Sequence, residues 1–190
     1  MKKGKLIIMA LLAMAAVACQ KEPEPTPAEK AIGNHVRNET KVPIHIETAV
    51  KTDSTTYAKE INRRIGIYEL RIIQNGQRAE KYSKQSMPKN ARIMREAIEK
   101  DYKIIAGLDS IRNHMGSDTL GIAYYDYEFE YCTADEKGKK TKPKKAYATV
   151  TPTNKVITWS LKRTDIHKAA GLSIPGYRKL LDELKTKEEQ

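Results

Sequence analysis

The feature that most constrains this chain is a change of hydrophobic period near its middle. In residues 87–115, "MPKNARIMREAIEKDYKIIAGLDSIRNHM", the apolar residues Met94, Ile98, Ile105, Leu108, Ile111 and Met115 recur at spacings of three, four or seven. Arg92, Arg95, Glu99, Lys103 and Arg112 fall on the other side. This is the pattern of an amphipathic helix with one face to bury. Ser86 is placed to cap it, Pro88 suits its first turn, Gly107 weakens its middle and Gly116 stops it. Beyond residue 119 the period becomes two. "TLGIAYYDYEFEYCT", "KAYATVT" and "KVITWSLK" read as strands, and "TPTN" between the last two supplies a tight turn with Pro152 at its second position. Helix period followed by strand period predicts an α+β fold, with amphipathic helices packed on a small antiparallel β-meander of three to four strands.

The flanking segments are read the same way. Residues 57–82 carry a helical stripe of Ile61, Ile65, Tyr68 and Ile72, although their β-branched residues and Asn75-Gly76 also suit a hairpin. The residues after Gly76 are poor strand formers, so a helix is expected. "KVPIHIETAV" at 41–50 alternates as a strand does, and Pro43 confines it to a sheet edge or a strand start. The chain closes with "SIPGYRKLLDELKTKEEQ", a short helix carrying Leu180, Leu181 and Leu184 that frays into a polar tail.

The strand around residue 127 is rich in aromatics. Tyr125, Tyr127, Phe129 and Tyr131 share one face, while Asp126, Glu128 and Glu130 share the other. Leu120, Ile122 and Tyr124 have the opposite parity, so a β-bulge or strong twist is expected at Tyr124–Tyr125. Ala146, Ala148 and Val150 are expected to share a face with Ile157, Trp159 and Leu161. An uncovered row of four aromatics would be a large exposed patch, so a helix is expected over it. The alternative is a glycan platform built from Tyr125, Tyr127, Tyr131 and Trp159, because aromatic rings stack on sugars as well as on helices.

The amino terminus follows a different logic. "MKKGK" is basic, "LIIMALLAMAAVA" is an apolar run of 13 residues, and "AVAC" is a small-residue site ending on Cys19. The run is too short to span a bilayer at about 1.5 Å per residue. The layout is that of a cleaved secretory signal. With a cysteine at its end, it resembles the lipobox of bacterial lipoproteins. That resemblance implies a diacylglyceryl thioether on Cys19, loss of residues 1–18 and acylation of the new amino terminus. The acyl chains anchor such a protein in membrane lipid without spanning it. Gln20 stands where an aspartate would mark inner-membrane retention, so the outer membrane is expected. "CQKEPEP" is similar to the short charged export signal of small surface lipoproteins of Bacteroidota-type bacteria. Residues 19–40 are then read as the lipidated cysteine and a polar spacer with prolines at 23, 25 and 27, and residues 41–190 as a single domain.

Cysteine usage and charge narrow the partners. With Cys19 lipidated, Cys132 has no intramolecular partner, so the core holds the domain together without a disulfide, and the thiol reads as a small buried hydrophobe. Loss of Lys2, Lys3 and Lys5 with the signal takes the formal net charge from +11 to +8. Much of that charge lies in "KGKKTKPKK", where Lys139, Lys140 and Lys142 are candidates for anionic glycan or lipid phosphate. The plainer reading is a solvated hairpin tip that discourages edge pairing. An outer-membrane address argues against nucleic acid.

Catalytic patterns are poor. His35, His45, His114 and His167 are scattered, with no two at helix-borne metal spacing, and "GLSIPG" at 171–176 lacks the second glycine of a nucleophile elbow. Asp126 and Glu128 read as adjacent outward acids rather than a catalytic pair. No catalytic residue, metal ligand or cofactor is assigned. The chain therefore reads as an outer-membrane lipoprotein with a non-enzymatic binding or structural domain. Its rivals are a glycan- or polyanion-binding module and a hydrolase with a site assembled from distant residues.

Overall fold

The computed structural model describes residues 24–134 and 139–186. The signal segment, Cys19, the first residues of the spacer, Lys137 and the terminal tail lie outside the described residues. Four α-helices and one four-stranded sheet make an α+β fold in the order α1 (Pro27–Thr40), β1 (Ile44–Thr56), α2 (Tyr57–Lys84), α3 (Pro88–Met115), β2 (Ile122–Thr133), β3 (Lys144–Val150), β4 (Val156–Ser160) and α4 (Tyr177–Thr186). The sheet is antiparallel throughout, in the order β1-β2-β3-β4. Three of its strands are the expected meander. The fourth, β1, starts at Ile44 directly after Pro43 and occupies an edge, as the proline requires.

Helix α1 corrects the reading of residues 20–40 as a spacer. Thr26 caps it, accepting from Glu29 N at 3.2 Å while its own N–H donates to Glu29 Oε2 at 2.6 Å, and Pro27 takes the first turn where no donor is missed. Ile32 and Val36, one turn apart, are wholly buried against Phe129, Tyr131, Ala146, Ala148, Val150 and Val156. The helix that covers the aromatic strand thus comes from the segment set aside as a tether. Removing either side chain would open the main core, so α1 belongs to the domain.

On the opposite face of the sheet, Tyr57 at the start of α2 packs over Ala123 and Tyr124. Helices α2 and α3 form an antiparallel hairpin of 28 residues each, about 42 Å long, closed by a turn in which Ser86 takes a φ of 56°. Residues 57–82 are helical, as expected. Met87 rather than Ser86 is the N-cap of α3, and no side chain caps it. Ile61 and Tyr68 of α2 meet Ile104 and Leu108 of α3, and Ile174 and Tyr177 complete that cluster. Gly107 has a packing role here. A Cβ on it would lie 2.5 Å from the Leu180 methyls of α4, so the glycine lets α4 dock closely.

Two expectations about the meander are corrected. Strand β2 keeps one parity from Tyr125 to Tyr131 in its pairing with β3, and its pairing with β1 shifts at three places, at Glu47 and Thr52 on β1 and at Ala123 on β2, none of them at Tyr124–Tyr125. Tyr124 is buried because Tyr57, Ala170 and Ile157 cover it from the hairpin side, not because the strand slips. The strand is covered on both faces at this end. In the β3–β4 pairing, an irregularity between Thr149 and Val150 makes Val156 pair with Val150 and sends Ile157 to the face of Tyr124. Ala146, Ala148 and Val150 therefore share their face with Val156 and Trp159, while Leu161 lies exposed.

Candidate functional site

The densest polar chemistry lies where the start of α2 meets β2. Glu60, one turn into α2, is completely buried. Its Oε1 accepts from Arg64 Nε at 2.7 Å, and its Oε2 pairs with Arg63 and accepts from the Tyr124 hydroxyl at 3.0 Å. Arg63 Nη2 in turn donates to that hydroxyl at 2.7 Å. Spacings of three and four along α2 bring both guanidinium groups over one carboxylate. Burial pushes the Tyr124 phenol up to about 12, so it stays a donor to Glu60 at neutral pH. A buried pair of this kind loses about 3–5 kcal/mol when one partner is removed, because the other charge is left bare.

Arg64 carries the network across the fold. Its Nη1 and Nη2 donate to the carbonyls of Lys168 and His167 at 2.9 and 2.6 Å, which fastens the segment after β4 onto the hairpin. Gly171 lies against the same guanidinium. A Cβ there would come within 2.5 Å of Arg64 Nε, so only glycine admits the arginine. His167 Nε2 lies 2.8 Å from Asp126 Oδ2, a second fastening of the segment to β2. Asp126 is therefore buried and not one of the outward acids. Its Oδ1, and the Oγ1 of Thr149 opposite it on β3, have no hydrogen-bond partner among the described residues. Every oxygen of Glu60 is engaged inside the protein, so the network's evident work is to lock three elements together.

The locked segment forms one wall of an open cleft of about 420 Å³. Ile157 of β4, together with Leu172 and Ile174, supplies apolar lining. Lys155, in the β3–β4 turn, and Arg178, in the first turn of α4, bring two cations to it, and neither forms an ion pair among the described residues. No acid lines the cleft. Gly176, with a φ of 79°, makes the turn that delivers Arg178.

The residues singled out from the sequence are placed elsewhere. Tyr131 is buried beneath α1 and meets Trp159 edge-on at 6.2 Å, and Trp159 Nε1 donates to Glu39 of α1 at 2.5 Å. Tyr127 is half-buried against the same core. Tyr125 keeps one face under Lys51, whose ammonium lies 4.5 Å from the ring centre. These four rings are parts of a covered core and its margin, so no open glycan platform is formed by them. At the hairpin tip, Lys140 pairs with Glu47 at 3.1 Å, and Lys139 and Lys142 are exposed. Cys132 is buried in β2, where burial and the Glu47 carboxylate raise its thiol. Among the described residues no group of three or more histidine, cysteine or acidic side chains is placed to hold a metal ion.

Sequence reading missed Glu60, Arg63, Arg64 and His167 as a unit. The Glu60–Arg63–Arg64 spacing is legible as helix-surface ion pairing. Its burial is not, because it depends on carbonyls about a hundred residues away. No family model, curated protein or solved structure matches the chain.

Proposed function

We propose that the chain is a lipid-anchored outer-membrane lipoprotein whose α+β domain acts as a non-enzymatic binding or structural module. The anchor rests on Cys19 at the end of a basic-then-apolar signal. The observation that carries the functional reading is the position of the first cap. Thr26 begins the folded domain seven residues after Cys19. Seven residues reach about 25 Å even when fully extended, so acylation holds the domain close to the bilayer rather than on a long stalk. No helix among the described residues is long and apolar enough to cross a membrane.

Non-catalytic work is supported by the state of the polar network. Both Glu60 oxygens, three nitrogens of Arg64 and the Tyr124 hydroxyl are spent on internal bonds that position backbone. A hydrolase reading draws on the His167–Asp126 pair alone, and those two residues do not line the cleft beside Arg178. Fractionation of cells tests the anchor. The wild-type protein is expected in the membrane fraction, released by detergent, and the Cys19→Ala protein is expected not to be retained by acyl chains. Equal partitioning of the two would remove the lipid anchor from the account.

A further inference from the structure

We infer that the cleft between the β3–β4 turn and the start of α4 is a binding site for a small anionic amphiphile, a molecule with one carboxylate or phosphate head and a short apolar body. The inference concerns the cleft alone and is independent of acylation at Cys19. Its volume, about 420 Å³, falls in the range of about 300–1,000 Å³ typical of small-ligand sites. Lys155 and Arg178 reach it from two different elements, no acid lines it, and neither cation forms an ion pair among the described residues. Lys140, Lys145, Lys168 and Lys84, by contrast, each sit on a carboxylate. Two unpaired cations over an apolar wall complement a head of opposite charge joined to an apolar chain.

The walls are fixed before any ligand arrives. Arg64 bonds the carbonyls of His167 and Lys168, the following 3-10 turn Ala170–Ser173 lies against the same arginine, and Ile174 is anchored in the hairpin core. A pre-formed wall lowers the ordering cost of binding. Leu172, next to Ile174, remains 40 % exposed, an apolar contact that the cleft leaves open to a ligand. Arg178 suits a planar two-oxygen head, and Lys155 supplies a mobile second charge.

The test titrates the full chain carrying Cys19→Ala, without detergent, with decanoate and with decyl phosphate below their micelle concentrations, following backbone amide shifts. Decanol, inorganic phosphate and a capped acidic peptide are titrated in parallel. The inference expects saturable shifts at Lys155, Leu172 and Arg178 with both amphiphiles, and weaker binding of decanol and inorganic phosphate, each of which lacks half of the match. Lys155→Glu and Arg178→Glu should each raise Kd about tenfold or more while leaving the melting temperature unchanged, since both side chains are exposed. Unchanged affinity in the double variant, shifts confined to other surfaces, or binding of the acidic peptide in place of the amphiphiles would overturn it.

Discussion

Asp101 shows how much a single side chain is asked to bear in this fold. It lies on α3 with its carboxyl completely buried against α2, and neither oxygen accepts a hydrogen bond among the described residues. Arg71 Nη2 approaches to 3.1 Å, but that arginine is half-exposed and stacks on Tyr68. Burial outweighs the pull of Arg71 and raises the carboxyl above its ordinary value. The folded chain therefore holds this proton more tightly than the unfolded chain does. The resulting stability is greatest below the ordinary carboxylate range and is lost as pH rises through the raised value. Asp101→Asn keeps the shape and removes the charge, so it is expected to stabilise the protein at pH 7, with the gain vanishing in acid. Urea denaturation of both proteins across that pH range measures it; a loss of stability at pH 7 would show that the Arg71 pair is net favourable. Glu60 is the contrasting case, equally buried but bonded at both oxygens. The sequence distinguishes neither from a surface acid. Glu60 sits at helical spacing from Arg63 and Arg64, whereas Asp101 has Ala97, Ile98, Ile104 and Ile105 at those spacings and meets its arginine, Arg71, only across the hairpin.

Helix α1 is the element on which the fold reading turns. Its start is spelled in the sequence, since Thr26-Pro27-Ala28-Glu29 has the residues of a capping box with proline at the first turn. Prolines at 23 and 25 and a polar surface drew that stretch into a tether, because only Ile32 and Val36 carry the apolar period strongly. The hairpin α2–α3 was legible because its stripes run over many turns, and the meander because β2, β3 and β4 alternate. The second half of β1, "KTDSTT", was not, because polar residues on an edge strand leave no alternation to read; pairing with β2 holds it in place. If α1 is part of the core, Ile32→Ala should cost about 2–5 kcal/mol and Thr26→Ala about 1 kcal/mol in chemical denaturation. A segment acting as a spacer would show no change for either. The polar network shows the same division between local and distant information. The Glu60–Arg63–Arg64 spacing is local and readable, while its use in holding the His167 and Lys168 carbonyls comes from across the chain.

At the scale of the whole molecule, the proposed acylation of Cys19 would place the α+β domain near a lipid surface. A helix that starts seven residues after Cys19 shields the aromatic strand, the helical hairpin backs the other face of the sheet, and the locked segment between β4 and α4 presents a cationic cleft. Binding surfaces held this close to a bilayer meet membrane-derived or envelope ligands at high local concentration, which suits an anchored module better than a freely diffusing one. The plan depends on the fate of the first nineteen residues. Intact mass of the protein extracted from membranes tests that most directly. The account predicts a chain that has lost residues 1–18 and gained the mass of a diacylglyceryl group and an amide-linked acyl chain on Cys19. A mass matching an unmodified thiol at Cys19, or a chain that keeps residues 1–18, would contradict it.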